Sequence, residues 1–215
     1  MESLLKTEGV KIINNHRAGN LPEWNIPVIV QTEDTDESIF DIVDTKDDIG
    51  TIVRARGTGE ATYCNGCGTP YHLRFIKYEE FLNQFRNSCN GVNSDWAKDI
   101  ARPDLICYTI DEKKYFIIHE VSKGEISSKR KKARKQLINC VQFLNKSNII
   151  SEWISHFEKR LCLVSAHGCV EATPNQMADA FNNIYNFLPE PIPIKCTTFE
   201  RNNYCAYETK VVKLQ

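Results

Sequence analysis

A chain of 215 residues with 41% apolar and 26% charged residues suits one globular domain, with a small subdomain at most. It is long enough to bury roughly 70% of its unfolded surface without disulfide staples. A net charge of −1 excludes a uniformly basic nucleic-acid coat, and no apolar run approaches the length of a membrane span. The stretch after Met1 lacks the basic start and apolar core of a secretory leader, so an intracellular, cytoplasmic protein is expected. The cysteines number 9, an odd count scattered through apolar segments, which argues against a secreted disulfide framework. Cys107, Cys140 and Cys162 read as small core residues.

Residues 1–76 read as a β-rich N-terminal part, with strand-like runs at 26–30, 39–43 and 51–55 between acidic or glycine-rich turns. Gly57-Thr58-Gly59 is a turn and not a phosphate loop, because no Lys-Ser/Thr pair or helix start follows. Cys64-Asn65-Gly66-Cys67 has the spacing of half a zinc ribbon. His72 and Cys89 are the nearest further ligands for a structural Zn²⁺, and His167 with Cys169 is an alternative supply. Two free thiols in a glycine-rich turn is the competing reading.

Residues 77–215 read as an α/β core. Tyr78, Phe81, Leu82 and Phe85 keep helical spacing and predict an amphipathic helix over 77–89. A polar connection follows, with a short helical turn around Trp96. Residues 105–110 and 115–121 are strands, joined by the turn Asp111-Glu112-Lys113. Ile126, Ala133, Leu137, Cys140, Val141 and Leu144 then mark one face of a helix of about five turns. Ser127 or Ser128 is its expected cap. A strand over 160–166, a helix over 174–187 and closing strands over 192–198 and 204–212 complete the chain.

If the hairpin is centred on Glu112, Asp104 stands directly opposite Glu120, on the same face and with Cβ atoms roughly 5 Å apart. Two anions that close repel. A divalent cation is the usual compensation, and Mg²⁺ takes one or two carboxylates and completes its shell with water and phosphate. His119, the neighbour of Glu120, should face the other side of the strand. Lys129, Arg130, Lys131, Lys132 and Arg134, with Lys135, crowd the start of the following helix, where cations oppose the macrodipole. A phosphate backbone passing there would offset the repulsion and release counterions, which makes these residues candidates for nucleic-acid contact. A solvated basic face is the competing reading.

Pro103-Asp104, Glu120, the nearby lysines and the helix packed afterwards resemble the PD-(D/E)xK nuclease superfamily, the restriction-endonuclease-like fold. The resemblance implies a mixed sheet flanked by helices, with Asp104 at the start of the second core strand and Glu120 on the third. It implies that Asp104 and Glu120 bind Mg²⁺ or Mn²⁺ for phosphodiester hydrolysis, which needs a more acidic water and stabilisation of charge on the phosphate. The superfamily spacing puts its lysine at Ser122, so Lys123 becomes a catalytic candidate if a β-bulge beside Gly124 turns it back. The alternative is similar to viral cap-snatching endonucleases, whose lysine comes from the next helix. Lys131, Lys132 and Lys135 are then candidates, with Lys135 preferred among them. Some members add a Glu from the preceding helix, and of Glu79 and Glu80 the latter lies nearer the apolar face. No first core strand is legible between Cys89 and Pro103, so it is either very short or differently placed. The resemblance implies restriction-type DNA cleavage first and RNA cleavage second, with a homodimer as a compatible assembly. A non-catalytic nucleic-acid-binding module on the same fold is the rival reading.

Overall fold

Apolar side chains line both faces of the central strands, and both faces are covered in the computed structural model, which describes residues 1–16, 23–44, 49–53, 59–66, 68–85, 102–167 and 191–215. The result is a mixed α/β protein with a large, mostly antiparallel sheet flanked by helices. The helices are α1 (Glu2–Leu4), which runs through a π-helical turn (Leu5–Gly9) into α2 (Val10–His16), then α3 (Tyr78–Asn83), α4 (Ile126–Leu144), α5 (Asn148–Ser155) and α6 (Thr197–Arg201). The strands are β1 (Thr32–Thr35), β2 (Ile39–Asp44), β3 (Ile49–Val53), β4 (Ala61–Asn65), β5 (Leu73–Lys77), β6 (Leu105–Thr109), β7 (Tyr115–Glu125), β8 (Lys159–His167), β9 (Ile192–Pro193), β10 (Cys205–Glu208) and β11 (Val211–Leu214).

The large sheet has 7 strands in the order β1-β5-β6-β7-β8-β10-β9, and a second sheet has 4 in the order β11-β4-β2-β3. β6 runs antiparallel to both β5 and β7, α4 and α5 cross over, and β8 returns parallel to β7. One face of the large sheet presents Ile76, Ile106, Phe116, Ile118 and Cys162 to the helices, including Leu137, Cys140 and Val141 of α4. The opposite face presents Phe75, Cys107, Ile117 and Leu163 to Phe40, Ile42 and Tyr63 of the small sheet. Every apolar position expected on α4 is buried.

The hairpin keeps the expected register. Leu105 pairs with His119, Ile106 with Ile118 and Tyr108 with Phe116, which leaves Asp104 opposite Glu120 one step beyond. Its connection is longer than three residues because Thr109 organises it. The Thr109 hydroxyl accepts from Lys114 N–H and Tyr115 N–H and donates to the Glu112 carbonyl.

Several expectations change. No strand forms over 26–30, since that stretch runs alongside α3, held by Gln84 to both the N–H and the carbonyl of Ile29. β1, β4 and β5 form where no strand was read, and β5, which precedes α3, is the strand that pairs with β6 on the side away from β7. β5 and β1 therefore belong to the large sheet, while C-terminal β11 joins the small one, so residue 76 bounds neither sheet. Arg74 of β5 pins this edge with a bidentate pair to Asp34 of β1 and a third bond to Glu2. The strand expected over 192–198 shortens to β9 and then coils into α6, and that expected over 204–212 breaks at Thr209 into β10 and β11, one in each sheet. The α4 cap is Glu125 and neither serine; Ser128 instead donates back to the Glu125 carbonyl. The turn at 57–59 lies largely, and the helix over 174–187 wholly, outside the described residues, as does the connection around Trp96.

The turn after Cys64 is organised by Asn65, which is fully buried. Its amide donates to the Glu37 and Tyr71 carbonyls and accepts from Tyr71 N–H. Gly66 follows at φ 76°, where a Cβ would lie 2.2 Å from the Thr69 carbonyl oxygen. Asn65→Ala removes all three bonds and leaves their half-buried partners without them, so it is expected to cost about 2–4 kcal/mol in urea unfolding.

Candidate functional site: a facing carboxylate pair

Asp104 and Glu120 sit on the helix-covered face of the large sheet, where the alternation that buries Ile106 and Ile118 also places them. Both are buried, at 6% and 7% exposure. Asp104 Oδ2 accepts the Val121 N–H at 2.5 Å, and Glu120 Oε2 accepts from Gln136 Nε2 at 3.0 Å. Among the described residues nothing donates to the other oxygen of either carboxylate. The same Gln136 nitrogen donates to the Arg102 carbonyl at 2.6 Å, so one α4 side chain ties β7 to the segment leading into β6.

Burial is the first cause that holds the Asp104 carboxyl well above the usual carboxylate range. Asp44 and Glu79 push the same way, while the Val121 N–H and Lys132 oppose. Glu120 is likewise raised, first by burial and then by Asp104, with Lys132 again the opposing cation. Such a pair disfavours two negative charges and favours a bound cation.

The neighbours differ from those expected. Glu79, not Glu80, acts on both carboxyls, because the Asp104 carbonyl accepts the N–H groups of Tyr78 and Glu79 and so seats the first turn of α3 on the site. Glu80 instead lines a surface groove with Ile29, Gln31, Asn83 and Gln84. β7 does carry an irregularity between Ser122 and Glu125, as a bulge there required. It turns Lys123 towards Asp44, whose carboxyl is raised by burial and by Glu60, and to which Lys123 contributes both its charge and a backbone N–H. Lys132 is the lysine whose charge reaches both Asp104 and Glu120; Lys135 is exposed and has no such role in either carboxyl's surroundings.

The basic start of α4 divides. Arg130 makes a bidentate pair with buried Glu208 at 2.6 and 2.8 Å, and Arg134 donates to the Lys195 carbonyl. These two arginines fasten α4 to β10 and to the coil between β9 and α6. Lys129 reaches Asp44, and Lys131 is exposed. Of the expected zinc ligands, Cys67 and Cys89 lie outside the described residues, as does Cys169. Cys64 is buried in β4, and His72 is exposed with its ring 3.6 Å from Asp111.

His119 faces the small sheet, away from Glu120. It is fully buried between Tyr63 Oη and Ser165 Oγ, each at 2.8 Å. Ser165 spends its proton on the Thr209 carbonyl, so it accepts from His119 Nε2–H, and Nδ1 is left to accept from Tyr63. The ring is neutral, and burial lowers its pKa to about 3.

Gln136 and Asp44 were not read as site residues from the sequence, and Glu79 was placed behind Glu80. The signal for Gln136 is its place one turn after Lys132, on the side of α4 that meets the sheet. Asp44 carries no such signal, since it arrives from a different sheet. Among the described residues no group of three or more His, Cys, Asp and Glu side chains is arranged to hold a metal ion, so the carboxylates form a pair rather than a triad. No described helix is long and apolar enough to cross a membrane. Compared with known proteins, the chain matches no family model, no curated sequence and no solved structure.

Proposed function

We propose that this protein is a metal-dependent endonuclease with a restriction-endonuclease-like core, cutting phosphodiester bonds in DNA. The observation that carries this reading is the register-matched, buried pair Asp104 and Glu120 with Lys132 on the next helix. The order β5-β6-β7, α4, β8, with the Asp leading into the second of these strands and the Glu on the third, supports it.

Mg²⁺ or Mn²⁺ fits the donor set, because each carboxylate offers one oxygen that accepts no hydrogen bond from the described residues. When bound, the ion would make water more acidic and offset charge developing on the phosphoryl group. The chain's own residues supply the rest. Val121 N–H and the Gln136 amide hold the carboxylates in place, and Lys132 supplies positive charge beside them. Lys129 and Lys131 remain as contacts for a phosphate backbone, and a structural zinc at Cys64 and Cys67 is a separate proposal.

The test is cleavage of double-stranded and single-stranded DNA, and of RNA, with Mn²⁺ or Mg²⁺. Activity on DNA that disappears in Asp104→Asn is expected, and RNA-only cleavage would replace the substrate class. Lys132→Ala is expected to lower the rate by about 100-fold, while Lys123→Ala and Lys135→Ala stay near wild type. Tight, salt-dependent binding without cleavage of any substrate would overturn the catalytic reading in favour of a binding module, a rival favoured by Ser122 standing where the superfamily has its lysine.

A further inference from the structure

Gln136 has one polar atom with nothing to do. Both amide hydrogens are committed, one to Glu120 Oε2 at 3.0 Å and one to the Arg102 carbonyl at 2.6 Å. Its Oε1 is buried and has no hydrogen-bond partner. Rotating the amide would relieve nothing, because Oε1 would then face two acceptors. The two amide heteroatoms share one carbon, so Oε1 stands beside the Glu120 carboxylate. A buried carbonyl oxygen left unsatisfied costs about 1–3 kcal/mol, and this one has no hydrogen-bond donor in the structure.

We propose that Gln136 Oε1 is a third protein oxygen for the divalent cation, alongside Asp104 and Glu120. The inference rests on the metal-dependent reading of the same pair and deepens it. It explains why the orphan lies where it does. An amide oxygen is an ordinary ligand for Mg²⁺ and Mn²⁺, and being uncharged it adds no third anion to a pair that already repels. It also gives the facing pair of acids a third oxygen from an amide. Arg102 gains a purpose as well: its carbonyl takes the second amide hydrogen and thereby fixes which way Oε1 points.

The experiment is Mn²⁺ binding to the full-length protein, read by the electron paramagnetic resonance signal of free Mn²⁺, with no substrate present. Gln136→Met keeps the length of the side chain and removes donors and acceptor; it is expected to weaken Mn²⁺ binding by about 10-fold or more. Gln136→Glu keeps an oxygen at the position and loses the donors; binding at least as tight as wild type is expected. Wild-type affinity in Gln136→Met, or equal weakening in both variants, would overturn the ligand role and leave Gln136 a tether of Glu120. If wild type itself binds no Mn²⁺, or Asp104→Asn leaves its binding unchanged, the metal-dependent reading fails as a whole. Thermal unfolding of each variant without metal separates loss of the site from loss of the fold.

Discussion

Glu120→Gln and Asp104→Asn are each expected to make the metal-free protein more stable at pH 7, by about 1–3 kcal/mol, while lowering cleavage by on the order of 100-fold or more. The stability gain follows from the direction of the shifts. Both carboxyls are held above the ordinary carboxylate range, first by burial. A raised acid contributes stability that is fully present below its unfolded pKa of about 4 and is lost as pH rises through its folded value. At neutral pH the wild type therefore carries strain that a neutral isostere does not. Asparagine can still accept the Val121 N–H through its oxygen, so the backbone contact survives. Urea unfolding across pH 4 to 8 checks this, and the variants' advantage should grow with pH. Mn²⁺ should reverse the order, since an ion that binds only the folded wild type stabilises it by mass action. A Glu120→Gln protein less stable than wild type at pH 7 would mark the carboxylate as structural.

His119→Ala is expected to cost about 3–5 kcal/mol, through a cavity and a stranded Tyr63 hydroxyl. Tyr63 belongs to the small sheet and Ser165 to the large one, so the chain from Tyr63 through His119 and Ser165 to the Thr209 carbonyl ties the two layers together. The same histidine makes the fold acid-labile. Its folded pKa of about 3 lies below the unfolded value of about 6.5, so its contribution is intact above pH 6.5 and is lost as pH falls towards 3. The slope in that window is about 1.4 kcal/mol per pH unit, opposite in sign to that of the carboxylate pair. His119→Gln should remove this slope and leave the carboxylate part. An unchanged pH profile in His119→Gln would show that the ring does not titrate between folded and unfolded states.

The facing pair was legible because hairpin pairing is local arithmetic. A turn centred on Glu112 makes paired residue numbers sum to a constant, and Thr109 lengthened the connection without moving that centre. The buried face of α4 was legible for a similar reason, because its apolar period repeats over many turns. β5 was hidden by position: a five-residue run of Leu, Arg, Phe, Ile and Lys ending where a helix begins is ambiguous on its own, and it becomes a central strand only by pairing with β6. β1 reads Thr-Glu-Asp-Thr and looks like a turn until Arg74 neutralises Asp34 across the pair.

Sequence by itself determined which residues could stand together within one local unit: Asp104 against Glu120, His119 on the opposite face, and the apolar stripe of α4. Tertiary structure decided everything that depends on how units meet. The rotation of α4 on the sheet set Gln136 against Glu120 and put the charge of exposed Lys132, and not that of Lys135, within reach of the pair; the Arg130 to Glu208 ion pair helps hold that rotation. Capping of α3 by the Asp104 carbonyl chose Glu79 over Glu80, and the approach of β2 added Asp44. Local spacing sets which side chains share a face, but the angle and depth at which two faces dock come from packing of the whole core, which no single segment encodes.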